Sequence, residues 1–181
     1  MPIDKSIDYS AITPEIKALT KLCLADNVIE PEMYVKYAVN RGLRDLNGNG
    51  VLTGLTEISE IQSSKMVDGE KVPCEGKLFY RGVDVEQIVS GFIREKRYGF
   101  EETVYLLLFG ALPDEAQLDD FKKLLAGYRS LPTNFVRDVI LKAPNADMMN
   151  TLARSVLTLY SYDARATDNS TENVLRQCLQ L

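Results

Sequence analysis

The segment from Phe100 to Phe109 restricts the fold more than any other, because it is apolar on nearly all sides of a helix after Glu101 and Glu102. A helix of this kind is stable in water only when other helices enclose it. The sequence therefore predicts a multi-helical body with this segment near its centre.

Helical patterns flank the central segment on both sides. Pro14 and Pro31 occupy the first turns of two predicted helices, and Gly42 can close the second of them. Asp84, Asp147 and Asn169 stand where N-caps are expected, and Gly110 ends the central helix. From residue 84 onward we predict helices over about 84–93, 100–109, 113–128, 132–141, 148–160 and 171–181.

The second predicted helix is separated from the third by a stretch rich in turn residues, residues 43–82. Asn-Gly and Asp-Gly pairs recur in it, and short β-prone pieces lie at Val51–Ile61 and Lys77–Tyr80. About forty residues of this kind are too few for a sheet domain of their own. We predict a mainly α fold with a small β-hairpin region near residues 43–82.

The length, charge, apolar stretches and cysteine spacing of the chain are those expected of a cytoplasmic protein. It has 181 residues, 45% of them hydrophobic, and a formal net charge of −5, which disfavours nucleic-acid binding. The longest apolar stretch, Val104–Leu112, is far shorter than the ~20 residues of a membrane span. The three cysteines, Cys23, Cys74 and Cys178, lie far apart, so we expect reduced thiols rather than disulfides or a zinc site.

The chain contains no histidine. This excludes a Ser-His-Asp or Cys-His site within it, as well as a histidine metal ligand and an imidazole proton shuttle. The remaining residues form no activated nucleophile, so we predict no catalytic, substrate-binding or metal-binding residues in this chain.

One calcium-like pattern is present in the turn-rich stretch. Asp45–Gly50 resembles the opening of an EF-hand loop, but the twelfth position is Thr56 and Glu57 comes one residue late. We favour a pair of Asn-Gly turns, and keep a calcium-binding module as a weaker alternative.

Three further features could have either a structural or a functional role. Arg81-Gly82 could cradle an anion, but such an arginine more often anchors its loop to a helix end or a carboxylate. Met148-Met149 is expected in the core or an interface. The acidic pairs Glu101-Glu102 and Asp119-Asp120 are expected to be solvated.

The carboxyl end carries a predicted apolar face. Val174, Leu175, Cys178, Leu179 and Leu181 share one side of the last helix, and the chain stops on that face. We expect the chain to be cut within a longer protein, and its exposed apolar faces to favour self-association as a homodimer.

Several motifs, in order, resemble the citrate synthase family of the bacterial type. The most specific is the helix Phe100–Pro113, which is similar to the family's FEE-x-x-YLL-x-x-G-x-LP segment. Gly76–Val85 is similar to its G-x-L-x-YRG-x-D-I segment. The weaker matches are Gly42–Val51, Gly54–Ser59, Leu131-Pro132, Asp147–Met149 and Asp163.

The resemblance implies a function for a complete enzyme. Citrate synthases condense acetyl-CoA with oxaloacetate, using an aspartate base, two histidines and carboxylate-binding arginines, and take no cofactor besides these substrates. The family's histidine motifs, G-x-x-HGG and G-x-GH, do not occur here. The resemblance therefore implies that residues 1–181 are the N-terminal part of the large helical domain of a homodimeric acyltransferase, and that this part alone is inactive.

Two alternatives remain open. A complete, non-catalytic helical assembly module would also lack a site. The 2-methylcitrate synthases share the same motifs, so the choice between acetyl-CoA and propionyl-CoA cannot be read from this chain.

Overall fold

The computed structural model describes residues 8–39 and 54–180. They form two compact units, one from residues 8–21 and 122–180 and the other from residues 22–39 and 54–121. Helices dominate both units, and one small antiparallel sheet is present among the described residues. The predicted class, mainly α with a β-hairpin region, is confirmed.

The unit of residues 22–121 holds the sheet. Its elements are α2 (Pro31–Lys36), β1 (Ser59–Val67), β2 (Glu70–Tyr80), β3 (Val83–Asp84), α3 (Val85–Glu95) and α4 (Phe100–Phe109). Two helices contribute residues to both units, α1 (Pro14–Ala25) and α5 (Glu115–Gly127). The other unit contains a π-helical segment (Val136–Leu141), α6 (Met148–Leu159), a 3-10 turn (Tyr160–Tyr162) and α7 (Thr171–Gln180).

The hairpin is longer than predicted and begins later. β1 and β2 pair antiparallel from Ser59–Tyr80 to Val67–Glu70, which leaves Asp68 and Gly69 as a two-residue turn. Both turn residues have positive φ, 52° and 85°, as a tight hairpin of this length requires. The predicted strand start at Val51 lies outside the described residues, and residues 54–58 are not in a strand.

The central helix α4 has the bounds that its apolar run predicts. Tyr105, Leu106 and Phe109 are buried, and Gly110 ends the helix with φ of 83°. The rings of Tyr105, Phe109 and Phe121 meet edge to face, with centroids 4.7–5.9 Å apart. This aromatic cluster anchors the core of its unit.

Predicted caps agree with the structure at two helices. The Asp84 carboxylate accepts from the backbone N–H of Glu86 at 2.9 Å, and the Asp147 carboxylate accepts from that of Asn150 at 3.1 Å. At α7 the prediction is wrong by one residue. The Ser170 carbonyl accepts the first helical bond, from Val174 at 2.9 Å, so Ser170 rather than Asn169 is the N-cap.

Other predicted boundaries and faces differ from the structure. α2 ends at Lys36, well before Gly42, because Ala38 adopts a positive φ of 49°. The helix expected from Pro132 begins as a turn and continues as the π-helical segment. On the predicted buried face of α3, Val89 and Ile93 are exposed and Ile88 is buried.

Candidate functional site

Arg176 is the most deeply buried ionisable side chain of the described residues, with a side-chain exposure of 1%. It projects from α7, whose buried residues are Asn173, Leu175, Arg176 and Leu179. A buried guanidinium is tolerated only when its donors are satisfied.

Each of the five N–H bonds of Arg176 has an acceptor. Nε donates to Asn173 Oδ1 at 3.0 Å, and Nη2 donates to the same oxygen at 2.8 Å and to Asp163 Oδ2 at 2.6 Å. Nη1 donates to the carbonyl of Tyr9 at 2.8 Å and to Gln180 Oε1 at 2.5 Å. The guanidinium therefore has no donor left for a substrate carboxylate in this arrangement.

Asp163 is the counter-ion of Arg176 and collects four hydrogen bonds. Besides Arg176, its donors are Ser10 Oγ at 2.7 Å, the backbone N–H of Arg165 at 2.9 Å and Gln177 Nε2 at 2.9 Å. Burial by itself would raise the pKa of Asp163, but these bonds outweigh it and hold the pKa well below its usual range. Asp163 is thus a firmly ionised carboxylate and a weak proton acceptor.

A cavity of about 370 Å³ lies beside this cluster, within the unit of residues 8–21 and 122–180. Its walls come from residues 8–9, from Leu131 and Pro132, from the carboxyl-terminal half of α6 and from α7. Burial raises the pKa of Tyr128, whose side chain also lines the cavity. The lining is mostly apolar and aromatic, which suits packing more than acid–base chemistry.

The sequence does not predict the Arg176 cluster. Of its members only Asp163 belongs to the family resemblance, and the apolar pattern predicts that α7 buries Val174, Leu175, Cys178, Leu179 and Leu181. Leu175 and Leu179 are buried as predicted, but Val174 and Cys178 are exposed and Leu181 lies outside the described residues. A polar stripe was the missed signal, since Asn173, Arg176, Gln177 and Gln180 follow the i, i+3, i+4, i+7 spacing of one helix side.

Arg81 has the anchoring role that the sequence favoured over anion binding. Its Nε and Nη2 donate to the carbonyl of Leu107 at 3.2 and 3.1 Å, and Nη2 also donates to Asn27 Oδ1. Asn27 in turn donates to the carbonyl of Leu108 at 3.1 Å. Together the two side chains satisfy carbonyls at the carboxyl end of α4.

Two surface features differ from the sequence prediction. Met148 and Met149 are exposed on the outer side of the first turn of α6, so they are not in the core, and the interface alternative stays a prediction. The Glu102 side chain is only 13% exposed and pairs with Arg97, which itself bonds to Glu95 at 2.5 Å. Asp119 and Asp120 are exposed, as expected.

The remaining predictions concern metals, thiols and membranes. The calcium-like loop Asp45–Gly50 lies outside the described residues, and Glu57 is exposed. Across residues 8–39 and 54–180, no group of three or more Cys, Asp or Glu side chains could hold a metal ion. The three cysteines are free thiols, and no described helix is long and apolar enough to cross a membrane.

Comparison with known families identifies the kind of protein. The family model described as "Citrate synthase, C-terminal domain" matches residues 45–181, well over half of the chain. The chain belongs to the citrate synthase family. The family resemblance inferred from the motifs is thereby confirmed.

Individual relatives in the citrate synthase family agree with this assignment. A citrate synthase of Saccharolobus solfataricus is 33% identical over 107 residues, which are 59% of this chain and 26% of that protein. A 2-methylcitrate synthase 1 of Corynebacterium glutamicum is 33% identical over 116 residues, 64% of this chain and 26% of that protein. A 2-methylcitrate synthase of Shewanella oneidensis is 39% identical over 67 residues, 37% of this chain and 16% of that protein. The aligned part of the chain thus spans about a quarter or less of the length of these relatives.

Proposed function

We propose that this chain is the N-terminal part of a citrate synthase, the enzyme that condenses acetyl-CoA with oxaloacetate to give citrate and CoA. The match to the citrate synthase family over residues 45–181 carries the family part of the proposal. The N-terminal placement rests on the motif resemblance and on the absence of the family's histidine motifs from this sequence. In the complete enzyme this part supplies helical scaffold, and the catalytic groups come from elsewhere in the protein. The free thiols support a reducing compartment such as the cytoplasm.

The chemistry of the reaction explains why we expect the chain alone to be catalytically inactive. Enolising a thioester requires a base and an electrophile held together at the carbonyl. The chain has no histidine for either role. Asp163 and Arg176 are bound to each other in the buried cluster, which leaves neither available to a substrate.

An activity assay tests whether the chain alone is inactive. The purified 181-residue chain is mixed with acetyl-CoA and oxaloacetate, and thioester cleavage is followed by its absorbance, which avoids reagents that would react with the three free thiols. We expect the rate without protein and the rate with protein to be equal. Saturable turnover that depends on both substrates would contradict the proposal.

The acyl-CoA preference of the complete enzyme is a separate question, because two of the relatives are named 2-methylcitrate synthases. The ratio of kcat/KM for acetyl-CoA to that for propionyl-CoA decides between the two activities in the complete enzyme. A ratio above one supports citrate synthase, and a ratio below one supports 2-methylcitrate synthase.

We also propose that the chain forms a homodimer through α6. Most apolar side chains of this helix are exposed, whereas its packed side carries Thr151, Arg154, Ser155 and Thr158 together with the half-buried Leu159. The exposed set comprises Met148, Met149, Leu152, Val156, Leu157 and, just after the helix, Tyr160. Association with a second copy would bury this exposed apolar side, which supports a dimer interface there. The family resemblance also implies a homodimer.

The same observation favours the second candidate, a non-catalytic assembly module. The two candidates differ in the gene, because a citrate synthase must encode histidine motifs beyond this sequence and an assembly module need not. Sequencing the reading frame around this segment distinguishes them.

A further inference from the structure

We draw no further inference here: the strongest candidate, the mostly apolar cavity between α6 and α7, shares Val156, Leu157 and Tyr160 with the proposed homodimer surface, and nothing in the structure shows what else covers it.

Discussion

Arg176 and Asp163 show how a single buried ion pair organises a helical unit. The pair lies 2.6 Å apart, and the guanidinium is almost completely excluded from solvent. Desolvation of such a pair is compensated only while every donor and acceptor stays occupied. The cluster therefore behaves as one polar core in which each member depends on the others.

Removing the charge of Asp163 should be strongly destabilising. We expect Asp163→Asn to lower the free energy of unfolding by about 3 kcal/mol, because it leaves the buried Arg176 without a counter-ion. Urea denaturation with an unchanged m value measures the effect. Asp168→Asn is the control, since Asp168 faces Arg165 at 3.6 Å in a partly exposed pair and an asparagine oxygen can still accept from the backbone N–H of Ser170. A loss of similar size in both variants would contradict the prediction.

The low pKa of Asp163 also predicts how stability depends on pH. Burial would raise this pKa, but the bonds from Arg176, Gln177, Ser10 and the backbone of Arg165 lower it below the value of about 3.9 expected for the unfolded chain. The stabilising contribution is complete above about pH 4 and is lost as the pH falls below it, because the unfolded chain takes up the proton first.

Urea midpoints at pH 6 and pH 3 measure this dependence. We expect the midpoint to drop more in the native sequence than in Asp163→Asn, which cannot gain that proton. An equal drop in both proteins would mean that other carboxylates account for the whole acid sensitivity.

At the scale of elements, the end of α4 is determined by a single residue, Gly110. Gly110 has φ of 83°, and a Cβ placed there would lie 3.1 Å from Cβ of Asp26. We expect Gly110→Ala to lower the free energy of unfolding by about 1 kcal/mol or more. Thermal or urea unfolding of the variant checks the sign and the size.

Gly91, inside α3, provides the matched control for Gly110. It lies within helical backbone, and no atom stands within 4 Å of a Cβ placed there. Gly91→Ala should raise stability by up to about 1 kcal/mol, because alanine loses less backbone entropy in a helix. Stabilisation by both substitutions would show that Gly110 is not required for the end of α4.

Helices α6 and α7 show where periodicity alone misleads. Both carry apolar and polar sides, and in each case polar side chains lie on the packed side. In α6 the hydroxyls of Thr151, Ser155 and Thr158 bond to carbonyls one turn back, which allows them to be packed without external partners. The bounds of these helices could be predicted from the sequence, but the direction that each side faces could not.

At the scale of the whole molecule, the exposed side of α6 predicts an oligomer. We expect light scattering to show a dimer at tens of micromolar, and Leu152→Glu to weaken the association at least tenfold by placing a charge in the apolar face. Leu152 is 54% exposed in the single chain, so its replacement should leave the fold intact.

Val35→Glu serves as the control for this prediction. Val35 is 83% exposed on α2, in the other unit, and its replacement should leave the association unchanged. A clean monomer for the native sequence, or equal weakening by both variants, would contradict an interface through α6.

The sequence by itself determined those features of this protein that depend only on residues close together in the chain. Proline and aspartate at helix starts, glycine at the end of α4, the Asp68-Gly69 turn and the anchoring role of Arg81 follow from preferences within a few residues. The order of the motifs identified the family, and the absence of histidine excluded a histidine-dependent site within these 181 residues.

The tertiary structure decided what depends on residues far apart in the chain. Arg176 is buried because it meets the carbonyl of Tyr9, 167 positions away, and the carboxylate of Asp163. A helical pattern records only the spacing of polar groups and cannot state which distant group will satisfy them. The buried polar cluster therefore became visible only when the segments that build it were brought together.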